Sequence, residues 1–237
     1  LPKVQATAKI LYKIYIALTV VLIILLLLGG IPLYDSLCAA FGTAGTGGFG
    51  IKADSMGSYS LYIQIVITVF MILFGVNFNV YFLLLTKKFS QALKSEEVRC
   101  YFIVIIASAL MITFNVRHLF NNVWDALQQS FFQVGSIITT TGYATTDYNQ
   151  WPAVSRTILV LLTFCGACAG STGGGIKISR LLLLAKSVRK ELHLYLHPNA
   201  VKKIKMDGKA VSNEVMRATH IYMIVYLMLM AASIFII

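Results

Sequence analysis

Thr139-Thr140-Thr141-Gly142-Tyr143-Ala144-Thr145-Thr146 lies between apolar segments, yet cannot itself form a stable helix. Each threonine brings a backbone carbonyl and a hydroxyl, and Gly142 lets the backbone adopt φ > 0, so that successive carbonyls can point the same way. Rings of such carbonyls can replace the water shell of a monovalent cation. A lone Thr-Gly-Tyr also occurs in ordinary turns. Here a second copy is present: Thr46-Gly47-Gly48-Phe49-Gly50 repeats the order hydroxyl, spacer, glycine, aromatic and small residue. Each copy follows a segment able to form a short pore helix, residues 32–42 and 122–137, and is bracketed by long apolar runs. The pattern predicts a hairpin of two spanning helices with a re-entrant loop between them, occurring twice.

Composition agrees with that setting. Of 237 residues, 58% are hydrophobic and 12% charged, far from the balance of a soluble domain. A net charge of +11 could point to nucleic acid, but the placement of the charges decides against it. Lysine and arginine cluster in residues 1–13, 87–99 and 177–217, with Lys52, Arg117 and Arg156 elsewhere; Asp35, Asp54, Asp125 and Asp147 fall in the intervening loops. Basic clusters alternating with apolar runs follow the positive-inside rule, so they are expected in the cytoplasm. Binding of anionic lipid or phosphate there is the alternative to simply solvated charge. Cys38, Cys100, Cys165 and Cys168 do not make a secreted disulfide framework. The C-x-x-C spacing of Cys165 and Cys168 reads better as small-residue packing than as a redox or metal pair. The chain opens on Leu1 and ends inside an apolar run, with no removable signal peptide evident, so it is expected to be part of a longer protein.

In order, residues 10–30 match the roughly 20 residues that cross a bilayer. Gly45, Gly47 and Gly50 form a literal G-x-G-x-x-G, but neither a preceding strand nor a βαβ unit accompanies it, so dinucleotide binding is set aside. Residues 61–85 are expected to cross back, with Gln64, Asn77 and Asn79 making either structural hydrogen bonds or ion contacts. Residues 87–99 then form a cytoplasmic turn and residues 100–116 a third span, with His118 at the outer interface. Trp151-Pro152 marks the return to the outer interface.

The fourth run, from about residue 154, is interrupted by Gly166-Ala167-Cys168-Ala169-Gly170-Ser171-Thr172-Gly173-Gly174-Gly175. Each glycine costs about 1 kcal/mol relative to alanine inside a helix, so two half-helices joined by a loop at membrane depth are expected. Such a loop must be buried in protein or line a wet path. Gly170 and Gly175 also have phosphate-loop separation, yet Ile176 stands where lysine is required and Lys177 is followed by Ile178. A gate within a pore fits better than a nucleotide cradle; a purely structural kink is the alternative. His193 and His197, followed by Pro198, read as surface histidines rather than a metal pair. Asp207-Gly208 suits a short hairpin, and residues 218–237 begin a fifth span.

Three stretches carry a resemblance: the Thr139 to Asp147 segment, the Gly166 to Lys177 loop, and His197-Pro198-Asn199-Ala200-Val201. The chain resembles the potassium-translocating subunits of the Trk/Ktr/HKT superfamily, most nearly the TrkH type, over its whole length. The resemblance implies an all-α integral membrane fold built from repeated helix–pore loop–helix units around one pore. It implies that residues 1–98 are the family's second repeat, 99–210 its third with the broken second helix, and 211–237 the first helix of the fourth. Thr46, Gly47, Gly48 and Phe49, with Thr140, Thr141, Gly142 and Tyr143, would form part of the filter, potassium being held at Thr46, Gly47, Thr140 and Thr141. Gly166, Gly170, Ser171, Thr172, Gly173, Gly174, Gly175 and Lys177 would form the gate. By the same resemblance Gly48 and Gly142 match the family's filter glycines, which favour potassium, whereas related transporters with serine at one such position favour sodium. Also implied are a homodimer in the bacterial cytoplasmic membrane and a cytosolic nucleotide-binding regulatory subunit of TrkA type, which would hold the nucleotide. The expected activity is potassium uptake without enzymatic chemistry or a resident cofactor. A cation-coupled antiporter or symporter with a broken helix is the alternative.

Overall fold

The computed structural model describes residues 2–197 and 203–236. Pro198-Asn199-Ala200-Val201 of the family resemblance lie outside the described residues. The chain divides into two compact units, one up to Ile178 and one from Ser179 onward.

The first unit opens with α1 (Pro2–Leu28), whose segment Thr7–Leu28 is long and apolar enough to cross a membrane. It begins before the apolar run proper and stops at Gly29-Gly30, where Gly30 takes φ +82°. Pro32 then caps α2 (Leu33–Ala44), a position where its missing N–H costs nothing. Asp35, read from sequence as a loop residue, lies in the first turn of α2. Buried Ala39, Ala40 and Ala44 let α2 nestle against Leu22 and Leu26 of α1, because small side chains allow close backbone approach. Ile63, Ile67, Phe70, Met71 and Phe74 of α3 (Leu61–Phe74) complete this core.

The single span expected over residues 61–85 is not continuous. After α3 the chain breaks at Gly75-Val76-Asn77 and turns by 90° into α4 (Phe78–Leu85). Asn77 caps the new helix, its side-chain oxygen accepting from the Asn79 amide at 2.9 Å. Backbone groups freed by the break bond instead to a loop far along the chain, described below.

After the short α5 (Phe89–Leu93), α6 spans Glu96–Val116 and continues through the 3-10 turn Arg117–Leu119. It therefore starts four residues before the expected Cys100. The expected cytoplasmic turn over 87–99 is corrected accordingly: Glu96 and Glu97 lie in the first turn of a membrane helix, and Glu97 is only 5% exposed. Acids at that end complement the helix dipole. Next, α7 (Val123–Ile138) buries Ala126, Ser130, Phe132, Val134, Gly135 and Ile138, packing on α6 and α3. Pro152 caps α8 (Ala153–Phe164), a shorter apolar helix that ends at the glycine-rich loop.

The second unit takes up α9 (Ile178–Leu196) from its second residue, and this helix is followed by a hairpin of β1 (Lys205–Met206) and β2 (Lys209–Ala210). Asp207 and Gly208 take φ of +48° and +79°, the paired left-handed turn expected of Asp-Gly. Then α10 (Asn213–Ile236) supplies a membrane-length apolar segment, Asn213–Ser233. Lys186 donates to the Lys205 carbonyl at 2.7 Å and the Arg180 guanidinium lies 3.9 Å from the Tyr222 ring centre, tying the three elements together. The rings of His193 and His197 lie 4.9 Å apart.

Candidate functional site

Two loops of unrelated chain position share one backbone design. At the end of α2 the amides of Gly47 and Gly48 both donate to Gly42, at 2.8 and 3.4 Å; at the end of α7 those of Thr141 and Gly142 both donate to Ser136, at 2.9 and 3.3 Å. Thr46 bonds back to Thr43 as Thr140 does to Ile137, at 3.2 and 3.0 Å. The left-handed positions match as well: Thr46 at +50° and Gly48 at +65°, Thr140 at +59° and Gly142 at +86°. Two non-glycine residues held at φ > 0 in equivalent places require that the surroundings fix the turn.

The loops touch. A Cβ placed on Gly48 would overlap the Thr141 carbonyl oxygen, so the two backbones run against each other there. Tyr143, 1% exposed, sends its hydroxyl to the Ala39 and Phe49 carbonyls at 3.3 and 3.5 Å, while its own carbonyl accepts from Ser136 Oγ at 2.5 Å. Phe49, its counterpart in sequence, is 82% exposed. Further out, the Met56 amide donates to Ala144 at 2.9 Å and the Ala144 amide to Ser55 Oγ at 3.2 Å. Gln64 ties this outer layer down: its amide donates to the carbonyls of Met56, Gly57 and Tyr59 at 3.0 to 3.2 Å and its oxygen accepts from Gln128 at 2.7 Å. Of the two readings open for Gln64, this is the structural one. The Tyr59 hydroxyl, 3.2 Å from Asp35, is held protonated above its ordinary range by burial and by that carboxylate.

Among the described residues, none donates a hydrogen bond to the carbonyls of Thr46, Gly47, Gly48, Thr140, Thr141 or Gly142. Oxygens of this kind, carried on two fixed and adjacent turns, are suited to coordinate a cation that has shed water.

The glycine-rich loop, residues 165–177, lies against both turns. Thr46 Oγ1 donates to the Thr172 carbonyl at 3.1 Å, and the Gly174 amide donates to Thr140 Oγ1 at 2.6 Å. Gly173 packs beside the Thr139 carbonyl, and Lys177 Nζ donates to the Gly173 carbonyl. The neck is closed by the Gly166 amide on the Ile176 carbonyl at 2.6 Å; a Cβ on Gly166 would strike the Gly174 and Ile176 carbonyls. Gly170 and Gly175 take φ of +68° and +67°, and Ser171 Oγ donates to Cys168 at 2.6 Å. The amides of Cys165, Gly166, Cys168, Ala169, Ser171, Thr172 and Gly174 all find protein acceptors, as a loop withdrawn from water requires.

Sequence reasoning missed the side that supports this loop. Cys168 and Thr172 donate to the Gly75 and Phe74 carbonyls at 3.0 and 3.3 Å, and Phe78 donates to the Gly170 carbonyl at 3.1 Å. The Ala169 amide donates to Glu97 Oε1 at 2.5 Å. The signal for Glu97 was an acid immediately ahead of an apolar run; it was masked by the surrounding lysines.

The family described as TrkH, cation transport protein, matches residues 1–237. The chain belongs to this family. This TrkH-family chain is 34% identical over 223 residues to the Trk system potassium uptake protein TrkH of Salmonella typhimurium, covering 92% of the chain and 46% of that protein. It is 31% identical over 228 residues to the Trk system potassium uptake protein TrkG of Escherichia coli K12, covering 95% and 47%. The crystal structure of the potassium transporter TrkH from Vibrio parahaemolyticus aligns with a TM-score of 0.91 at 32% identity, over 98% of this chain and 51% of that one. The chain thus spans about half the length of the curated relatives it matches. Family membership and the apolar helices make it a multi-pass protein of the bacterial inner membrane.

Proposed function

We propose that this chain forms part of a potassium uptake pathway, in which the carbonyls of the two matched turns coordinate the dehydrated ion and the glycine-rich loop beneath them gates it. The relatives' names as potassium uptake proteins support the cargo. The observation that carries the reading is the contact between two turns of the same geometry, each with carbonyls that no described donor engages. Thr46, Gly47, Gly48 and Phe49 would face Thr140, Thr141, Gly142 and Tyr143 as two sides of a filter, with potassium held at Thr46, Gly47, Thr140 and Thr141. The remaining sides would come from other repeats. Residues 1–98 and 99–210 are then two helix–pore loop–helix repeats, and 211–237 opens a third. Gly166, Gly170, Ser171, Thr172, Gly173, Gly174, Gly175 and Lys177 form the gate, lying directly against Thr46 and Thr140. We further propose a homodimer and a cytosolic nucleotide-binding regulatory subunit of TrkA type as partners. Potassium is cargo here, not a cofactor.

Selective flux tests the reading. The whole protein in proteoliposomes should pass potassium and rubidium in preference to sodium, and Gly142→Ser should lower that preference. A serine side chain at this position meets open space, so the change acts on the backbone turn rather than by collision. Equal passage of sodium and potassium by the unsubstituted protein would overturn the proposal. A coupled antiporter or symporter is the second reading, favoured by the buried carboxylate of Glu97. It requires flux to stop when the proton or sodium gradient is removed.

A further inference from the structure

Two helix breaks meet inside this unit. One is Gly75-Val76-Asn77, where α3 turns by 90° into α4; the other is the glycine-rich loop after α8. Three backbone bonds join them: Cys168 to Gly75, Thr172 to Phe74 and Phe78 to Gly170. A third helix, α6, reaches the same junction through one side chain. Glu97 Oε1 accepts the Ala169 amide at 2.5 Å, and its Oε2 accepts Asn77 Nδ2 at 3.4 Å. Asn77 Oδ1 meanwhile caps α4 through the Asn79 amide.

We propose that Glu97 is the positioning residue that holds the glycine-rich loop beneath the filter turns, and that the break at residues 75–77 is the hinge through which this hold is released. The proposal rests on the gate assigned above. A carboxylate makes the strongest ordinary acceptor for a backbone amide, and at 5% exposure water competes poorly for it. It also brings in what those backbone bonds do not, the start of α6, which it joins to the loop and to the side chain of the hinge asparagine. The opposite side of the loop touches Thr46 and Thr140. Movement of α4 therefore reaches the loop both through the bond from Phe78 to Gly170 and through Asn77, Glu97 and Ala169 in sequence, and the loop passes it to the turns at Thr46 and Thr140. A residue that only complemented the dipole of α6 would be indifferent to the state of the loop.

The test compares the unsubstituted whole protein with E97Q and E97A in proteoliposomes, by hydrogen exchange of residues 165–177 and by resting rubidium flux. Loss of a charged acceptor at a buried amide should speed exchange in the loop by about tenfold or more in E97A. Resting flux should rise with the rubidium-to-sodium ratio unchanged, while exchange in residues 101–116 stays as it was. E97Q keeps the shape and an oxygen acceptor without the charge, so it should fall between; if E97A fails to assemble, E97Q decides by the same readouts. Unchanged loop exchange overturns the proposal, as does exchange that rises equally along α6, or flux that falls while the loop loosens. Absence of rubidium flux in the unsubstituted protein would instead defeat the gate reading, and the exchange measurement would still report whether Glu97 holds the loop.

Discussion

Gly48 and Gly142 hold equivalent places in the two turns, yet they tolerate change differently. Both have φ > 0, which costs a side chain roughly 1–2 kcal/mol. Only Gly48 is also pressed against the neighbouring turn, where a methyl group would overlap the Thr141 carbonyl; at Gly142 there is nothing within 4 Å. Gly48→Ala should therefore lower the midpoint of thermal unfolding in detergent well beyond Gly142→Ala, which bears the conformational cost alone. Equal shifts would mean that the turns do not meet at Gly48. The sequence made these glycines look interchangeable, because a repeat announces what its copies share. Their inequality arises from a contact between residues 93 positions apart, Gly48 and Thr141, that no local pattern encodes. Tyr143 and Phe49 diverge for the same reason: the Tyr143 hydroxyl has carbonyl partners at Ala39 and Phe49, and Phe49 has no hydroxyl to place.

Among the elements, α2 and α7 were legible to within two residues because proline, asparagine and glycine punctuate their ends. The interruption after α8 was legible from its glycines. The break between α3 and α4 was not, since one glycine, Gly75, does not end an apolar run and Asn77, though visible as a polar exception, does not announce a turn. What stabilises that break is supplied by Cys168, Gly170 and Thr172, almost a hundred residues on. Gln64 was visible as a polar exception, though its partners were not. It joins α3 to the outer loop and to Gln128 of α7 with four hydrogen bonds within 3.2 Å. Gln64→Leu takes this partner from the Gly57 and Tyr59 carbonyls and from Gln128, at a cost of about 1–3 kcal/mol for each group left unpaired where water cannot reach. Thermal unfolding should shift down strongly, with loosened hydrogen exchange in residues 54–60; a shift no larger than that of an exposed substitution would refute the role given to Gln64.

For the molecule as a whole, one side of the helices is committed to this packing and another is not. Leu28, Phe114 and Leu161 are exposed by 75%, 72% and 60% on apolar helices, surfaces that hydrocarbon or further protein must cover. The shared design of the two turns, the loop lying against both of them, and the carboxylate behind that loop form one connected path from α4 to the carbonyls. Ion coordination by those carbonyls is the claim on which the rest depends. Crystals of the whole protein grown in rubidium and measured at the rubidium absorption edge test it most directly. An anomalous peak bounded by the carbonyls of residues 46–48 and 140–142 is the expected result. Rubidium bound elsewhere along the pathway, with none between these two turns, would contradict it.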